Sequence, residues 1–181
     1  GEWDGGSVRS THQEFNPAVG SSRVTQGDAA SNPSPSWHAT HVAGTMMAEG
    51  DVAGAQGMAP QADLHAYDWN SDDSEMSTEA ASGLLVSNHS YGSITGWYSN
   101  SGTWYWYGTP SVSATEDYNF GRYNSSARSW DLIAEAAPYY LICKSAGNDR
   151  NDDHNGSHQV WSGGWVTSTD ARDPDGGVDG Y

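Results

Sequence analysis

His38 and His41 stand three residues apart in "SWHATHVAGTMMAEG", residues 36–50, surrounded mostly by small side chains. Two imidazoles so placed could ligate a metal, fill a core or move protons. A zinc-protease helix needs its histidines four apart with a glutamate after the first, so that both rings reach one ion while the carboxylate activates water. Ala39 occupies that glutamate position. A metal-dependent hydrolase using both histidines and a carboxylate is therefore a rival, not the main reading. Interior imidazoles are ordinarily satisfied by backbone carbonyls, which suits His41 as a packed, hydrogen-bonded support. His38 follows a loop rich in Ser, Asn and Pro, where a helix start lets its ring project into a cleft. Other candidates follow strand-like segments: Asp4 in "EWDGG", Asn88 and Ser90 in "VSNHSYG", and Asn148 in "KSAGND".

The elements that must position these groups are legible from periodicity. Ala39, Val42, Ala43, Thr45, Met46 and Met47 outline a helix over residues 38–49, with Gly50 as its left-handed stop. "ADLHAYDW" from Ala62 and "LLVSNHS" from Leu84 read as strands, and "EWD" as the end of another. "SEMSTEAASG" from Ser74 reads as a helix with a candidate capping box over residues 77–80. "SSARSWDLIAEAAP" predicts a helix capped at Ser125 or Ser126, striped by Trp130, Ile133, Ala134 and Ala137, and stopped by Pro138. "YYLICKSAGND" predicts an apolar strand buried on both faces, with Cys143 inside it. Such alternation implies an α/β fold, a parallel sheet flanked by helices, with its site outside the carboxyl ends of the strands. The aromatic-rich insert at about 92–118, "GSITGWYSNSGTWYWYG" at its head, shows neither period and reads as a long loop or irregular hairpin.

At 181 residues the chain is expected to form one domain. A formal charge of −16 with only 7 Lys and Arg excludes nucleic acid and anionic membrane surfaces as partners, because phosphate-dense ligands need cationic side chains. No apolar run approaches the roughly 18 residues that would span a bilayer. The acidic balance fits a secreted, extracellular protein. A single cysteine rules out an intrachain disulfide. "NDRNDDHNGSH", residues 148–158, is rich in oxygen ligands but misses the EF-hand spacing. An acidic solvated turn is the preferred reading there; a structural calcium stays open, and no cofactor is required.

Taken in order, "DGG" in "EWDGGSVRSTHQEF", "HATHVAGTMMA", "GMAPQADL", "VSNHSYG" and "SAGND" resemble the subtilisin-like serine proteases, the subtilases, over nearly all of the chain. The flavour is nearest to bacterial alkaline proteases. The resemblance implies a subtilisin-like α/β domain, incomplete at both ends, that cuts peptide bonds through an acyl-enzyme. Asp4 would be the triad aspartate and His38 the general base. Asn148 would donate to the oxyanion, while Ser90, Tyr91, Gly92 and Gly147 would bind the substrate backbone. Several departures stand out: Ala39 replaces the usual glycine, and "DGG" lacks the usual hydroxyl. The family's Gly-Thr-Ser-Met-Ala nucleophile motif is absent; "GTMMA" at 44–48 has Met46 where the serine would be. The serine is expected on a missing C-terminal segment or companion chain, and this chain alone should be inactive. A catalytically dead relative serving as a binding or structural module is the alternative. The insert would line extended substrate pockets, or else stack sugars.

Overall fold

The computed structural model describes residues 1–16, 21–28 and 35–175. In chain order its elements are β1 (Glu2–Asp4), β2 (Val24–Gln26), α1 (Trp37–Met47), β3 (Leu64–Asp68), α2 (Asp72–Ala81), β4 (Val86–His89), β5 (Trp97–Asn100), β6 (Thr103–Trp106), α3 (Ser125–Ala136), β7 (Leu141–Lys144), β8 (His158–Trp161) and β9 (Trp165–Ser168). Two compact units result: Gly1–Tyr91 with Ser125–Ser145, and Gly92–Asn124 with the residues from Ala146 onward.

The first unit is a parallel five-stranded sheet in the order β2-β3-β1-β4-β7. Register neighbours in a parallel sheet share a face, so Glu2 and Asp4 face the same way as Ala66, Asp68 and Asn88. α1 covers part of that face, burying Ala39, Ala43 and Met47 against Val8, Phe15, Val24, Leu64 and Ala66. Trp3 points the other way, stacked between Tyr67 at 5.0 Å and His89 at 5.1 Å. There it joins Met76 of α2, Ile133 of α3 and Tyr140. Burying side chains of this size contributes roughly 1.5–3 kcal/mol each, so one short strand anchors both faces.

Three sequence expectations change. The β7 strand is not buried on both faces: it lies at the sheet edge with Leu141 59% exposed, and Cys143 is exposed. The reason is local, because Val86 and Leu141 lie in register on the α1 side, where α1 packs on β2, β3 and β1, and Val86 is also 50% exposed. α2 begins at Asp72, two residues before the predicted start, behind Ser71 in a left-handed conformation. Its acidic first turn of Asp72, Asp73 and Glu75 complements the positive helix end. Ser77 and Thr78 instead bond back to Asp73 and Ser74 carbonyls inside the helix, so they form no box. In α3, Ile133 is buried and Trp130 half-buried, but Ala134 is exposed.

The second unit turns the insert into regular structure. β5 and β6 form an antiparallel hairpin, Trp97 opposite Trp106 and Tyr98 opposite Tyr105. Ser101 and Gly102 both have positive φ, 52° and 82°, the geometry that matches a two-residue turn to strand twist. β8 joins β6 in parallel and β9 joins β8 antiparallel, giving the order β5-β6-β8-β9. Trp97, Trp106 and Val160 form the buried face. The Arg172 guanidinium lies 4.4 Å from the Trp106 ring centroid. Asp175 accepts the Trp97 N–H, and burial pushes its carboxyl up to about 7.

Candidate active site

Asp4 is the last residue of central strand β1, at a carboxyl end and beside the place where the chain crosses from β3 to β4. Its side chain is buried, and its Oδ1 accepts the Gly5 N–H at 2.7 Å. A Cβ on Gly5 would come within 2.8 Å of the Trp69 ring, and Gly6 has a φ of 138°. A side chain at the second position of "DGG" would have to displace the half-exposed Trp69 indole.

His38 is the second residue of α1, whose cap Ser36 accepts the Ala39 N–H. Its Nδ1 lies 2.7 Å from Asp4 Oδ1 and 2.9 Å from Oδ2. An ionised carboxylate only accepts, so Nδ1 carries the proton and Nε2 keeps its lone pair. The His38 side chain is 42% exposed, and the Trp37 ring stands edge-on at 5.6 Å. Ala39 sits inside the helix with ordinary backbone, so a glycine is not needed there.

His41 departs from expectation. It is exposed on α1 rather than packed, because the inward face of this helix belongs to Ala39, Ala43 and Met47. His38 is turned to Asp4, and among the described residues no group of three or more His, Cys, Asp or Glu gathers as a metal site. The helix is secured from below by Glu14, whose carboxylate accepts the N–H groups of Gly50, Asp51 and Val52. Those bonds hold its carboxyl below the ordinary range.

Ser90 and Tyr91 follow β4, and Asn88 donates its amide to Ser90 Oγ. Tyr91 is pinned by a chain of bonds not anticipated from the sequence. Tyr140 O–H donates to Ser87 Oγ, and Ser87 lies 2.8 Å from His89 Nε2. His89 Nδ1 lies 2.9 Å from the Tyr91 oxygen, whose proton goes to Asp72. Burial pushes His89 down to about 4, so its ring is neutral with the proton on Nδ1. Burial and the Asp72 acceptor push the Tyr91 phenol upward. Lys144 Nζ covers the same ring at 4.8 Å. The alternation of Ser87, His89 and Tyr91 on one strand face was the available signal. Tyr91→Phe should leave the His89 N–H unpaired and cost about 1–3 kcal/mol, read as a lower urea midpoint; an unchanged midpoint would show that the chain of bonds contributes nothing.

Gly92, Gly147 and Asn148 belong to the second unit. Gly147 has a φ of 90° and takes a left-handed turn position; it and Asn148 are both exposed. The first unit thus brings Asp4 to His38, and Ser90 and Tyr91 to the end of the neighbouring strand.

A carboxylate-oriented imidazole with a free Nε2, set at a strand end of a parallel sheet, is the arrangement of an acid–base hydrolase. The family model Peptidase_S8, described as the Subtilase family, matches residues 7–169, and the chain belongs to that family. The matched segment begins after Asp4, so the case for that residue is its geometry. No curated protein and no solved structure matches.

Proposed function

We propose that this chain is the histidine-bearing part of a secreted serine endopeptidase that cuts protein substrates by an Asp-His-Ser triad. The carrying observation is His38 Nδ1 held on both oxygens of buried Asp4. In this reading Nε2 takes the proton of a serine hydroxyl as it attacks the scissile carbonyl, and returns it to the leaving amine. Asp4 fixes the tautomer and steadies the imidazolium between those steps. Asn148 donates to the oxyanion. The main chain at Ser90–Gly92 and Gly147 pairs with the substrate as an added strand.

The nucleophile is supplied by a segment or companion chain carrying Gly-Thr-Ser at a helix start. The exposed strip of Val86, Leu141 and Cys143 is an apolar place for such a helix. The family, the fold and the oriented histidine all support catalysis over a purely binding role, which has no use for a free Nε2. Fluorophosphonate labelling tests this directly. The isolated 181-residue chain should remain unlabelled, while a preparation containing the serine segment should label on that segment and require His38. Labelling of the isolated chain, or His38-independent labelling, would overturn the reading.

A further inference from the structure

The second unit carries an aromatic surface that the proteolytic reading does not use. Strand alternation sends Trp97, Trp104, Trp106 and Val160 inward, leaving Tyr98, Tyr105, Gln159, Trp161, Trp165 and Thr167 on the opposite face. The outward rings touch one another. Trp165 lies 5.0 Å from Tyr105, 5.3 Å from Tyr107 and 5.5 Å from Trp161. Trp161 is 52% exposed and Trp165 40% exposed. Across four strands this face is about 14 Å wide. Contiguous exposed aromatic surface of this kind is a mark of an interaction site.

The polar groups between the rings say what that ligand is. Gln159 Nε2 donates to Thr167 Oγ1 at 3.0 Å, which leaves the Gln159 carbonyl as an acceptor and the Thr167 hydroxyl as a donor, side by side. A matching ligand must donate and accept at neighbouring atoms, as vicinal hydroxyls do. Proline-rich peptides suit aromatic faces too, but their backbone offers almost only acceptors and would leave the Gln159 oxygen unpaired. No charged residue occupies the outward register positions of the four strands, Tyr98, Asn100, Thr103, Tyr105, Gln159, Trp161, Trp165 and Thr167. The −16 charge of the chain repels polyanions.

We propose that the outward face of the β5-β6-β8-β9 sheet binds a neutral polysaccharide, its pyranose C–H faces stacked on Trp161 and Trp165 and its hydroxyls paired with Gln159 and Thr167. This site is independent of the triad, and its test needs no catalysis. The full chain is mixed with insoluble cellulose, chitin, xylan or starch, and the unbound fraction is measured, with heparin beads as the anionic control. Retention is expected on at least one neutral polymer, competed by its soluble hexasaccharide, with none on heparin. Trp161→Ala and Trp165→Ala should each weaken retention about tenfold or more, and Gln159→Ala a few-fold, with unchanged circular dichroism. If a tryptophan variant misfolds, quenching of wild-type tryptophan fluorescence by the hexasaccharide, weakened in Gln159→Ala, replaces it. Absence of retention on all four polymers, retention indifferent to these substitutions, or binding of a proline-rich peptide in place of sugar overturns the proposal.

Discussion

Asp4→Asn is expected to lower turnover of the serine-complemented enzyme about ten-thousandfold, with little change in KM. The magnitude is that known for triad aspartates, subtilisin among them, and is borrowed from those enzymes. The cause can be traced in this chain. Oδ1 of Asp4 already accepts the Gly5 N–H at 2.7 Å, so an asparagine would keep its carbonyl there and place its amide N–H2 at the Oδ2 position, 2.9 Å from His38 Nδ1. With a donor in place of one of its two acceptors, and the Oδ1 carbonyl shared with Gly5, the tautomer protonated on Nε2 is favoured, and in it the ring lacks the lone pair that should receive the serine proton. Fold loss is not the explanation, because the change removes a buried charge and keeps the shape. Steady-state kinetics measures the rate, and 15N shifts of His38 report which nitrogen is protonated. A variant within tenfold of wild type, or one whose Nδ1 remains protonated, would sink the proposed role of Asp4.

How much of this could be read beforehand depended on whether a residue's neighbours lie close in sequence. The His38 helix was legible because the Ser, Asn and Pro-rich loop before it and its small residues are local signals, although it ends at Met47, short of the Gly50 expected to stop it. The parallel sheet was legible because strands and helices alternate. β7 was misjudged because an apolar strand looks the same at a sheet edge as at its centre, and burial is decided by what lies across it. The β5–β6 hairpin was legible only as one of two alternatives, a long loop or an irregular hairpin, for a different reason: both faces carry aromatics, so alternation produces no contrast in hydrophobicity. His41 was assigned a packed role that the α1 face does not offer it. Strand alternation in "EWD" already puts Glu2 on the face of Asp4, but nothing in "GEWD" predicted that this face would be buried there, since that depends on pairing with β3 and β4 beside Ala66 and Asn88.

That glutamate should dominate the alkaline stability of the first unit. Glu2 is fully buried, and neither carboxyl oxygen has a hydrogen-bond partner among the described residues. Burial, reinforced by the charge of Asp4 and only partly opposed by the amino terminus, pushes its carboxyl up to about 9. Between about 4.5, its ordinary value, and about 9, the folded chain holds this proton and the unfolded chain does not. The stabilising contribution is therefore complete below that window and is lost as pH rises through it, at a limiting slope of about 1.4 kcal/mol per pH unit. Glu2→Gln removes the slope and Glu2→Leu removes the stranded oxygens as well, so both should gain on wild type by several kcal/mol between pH 5 and pH 8. Urea midpoints of the three proteins at pH 5, 7 and 9 measure this, and the difference from wild type cancels every other titrating group. Parallel curves would mean that Glu2 ionises normally. A widening gap would mean that Glu2 stays neutral at pH 7, leaving Asp4 the charged partner of His38 and letting a second negative charge intrude only near pH 9.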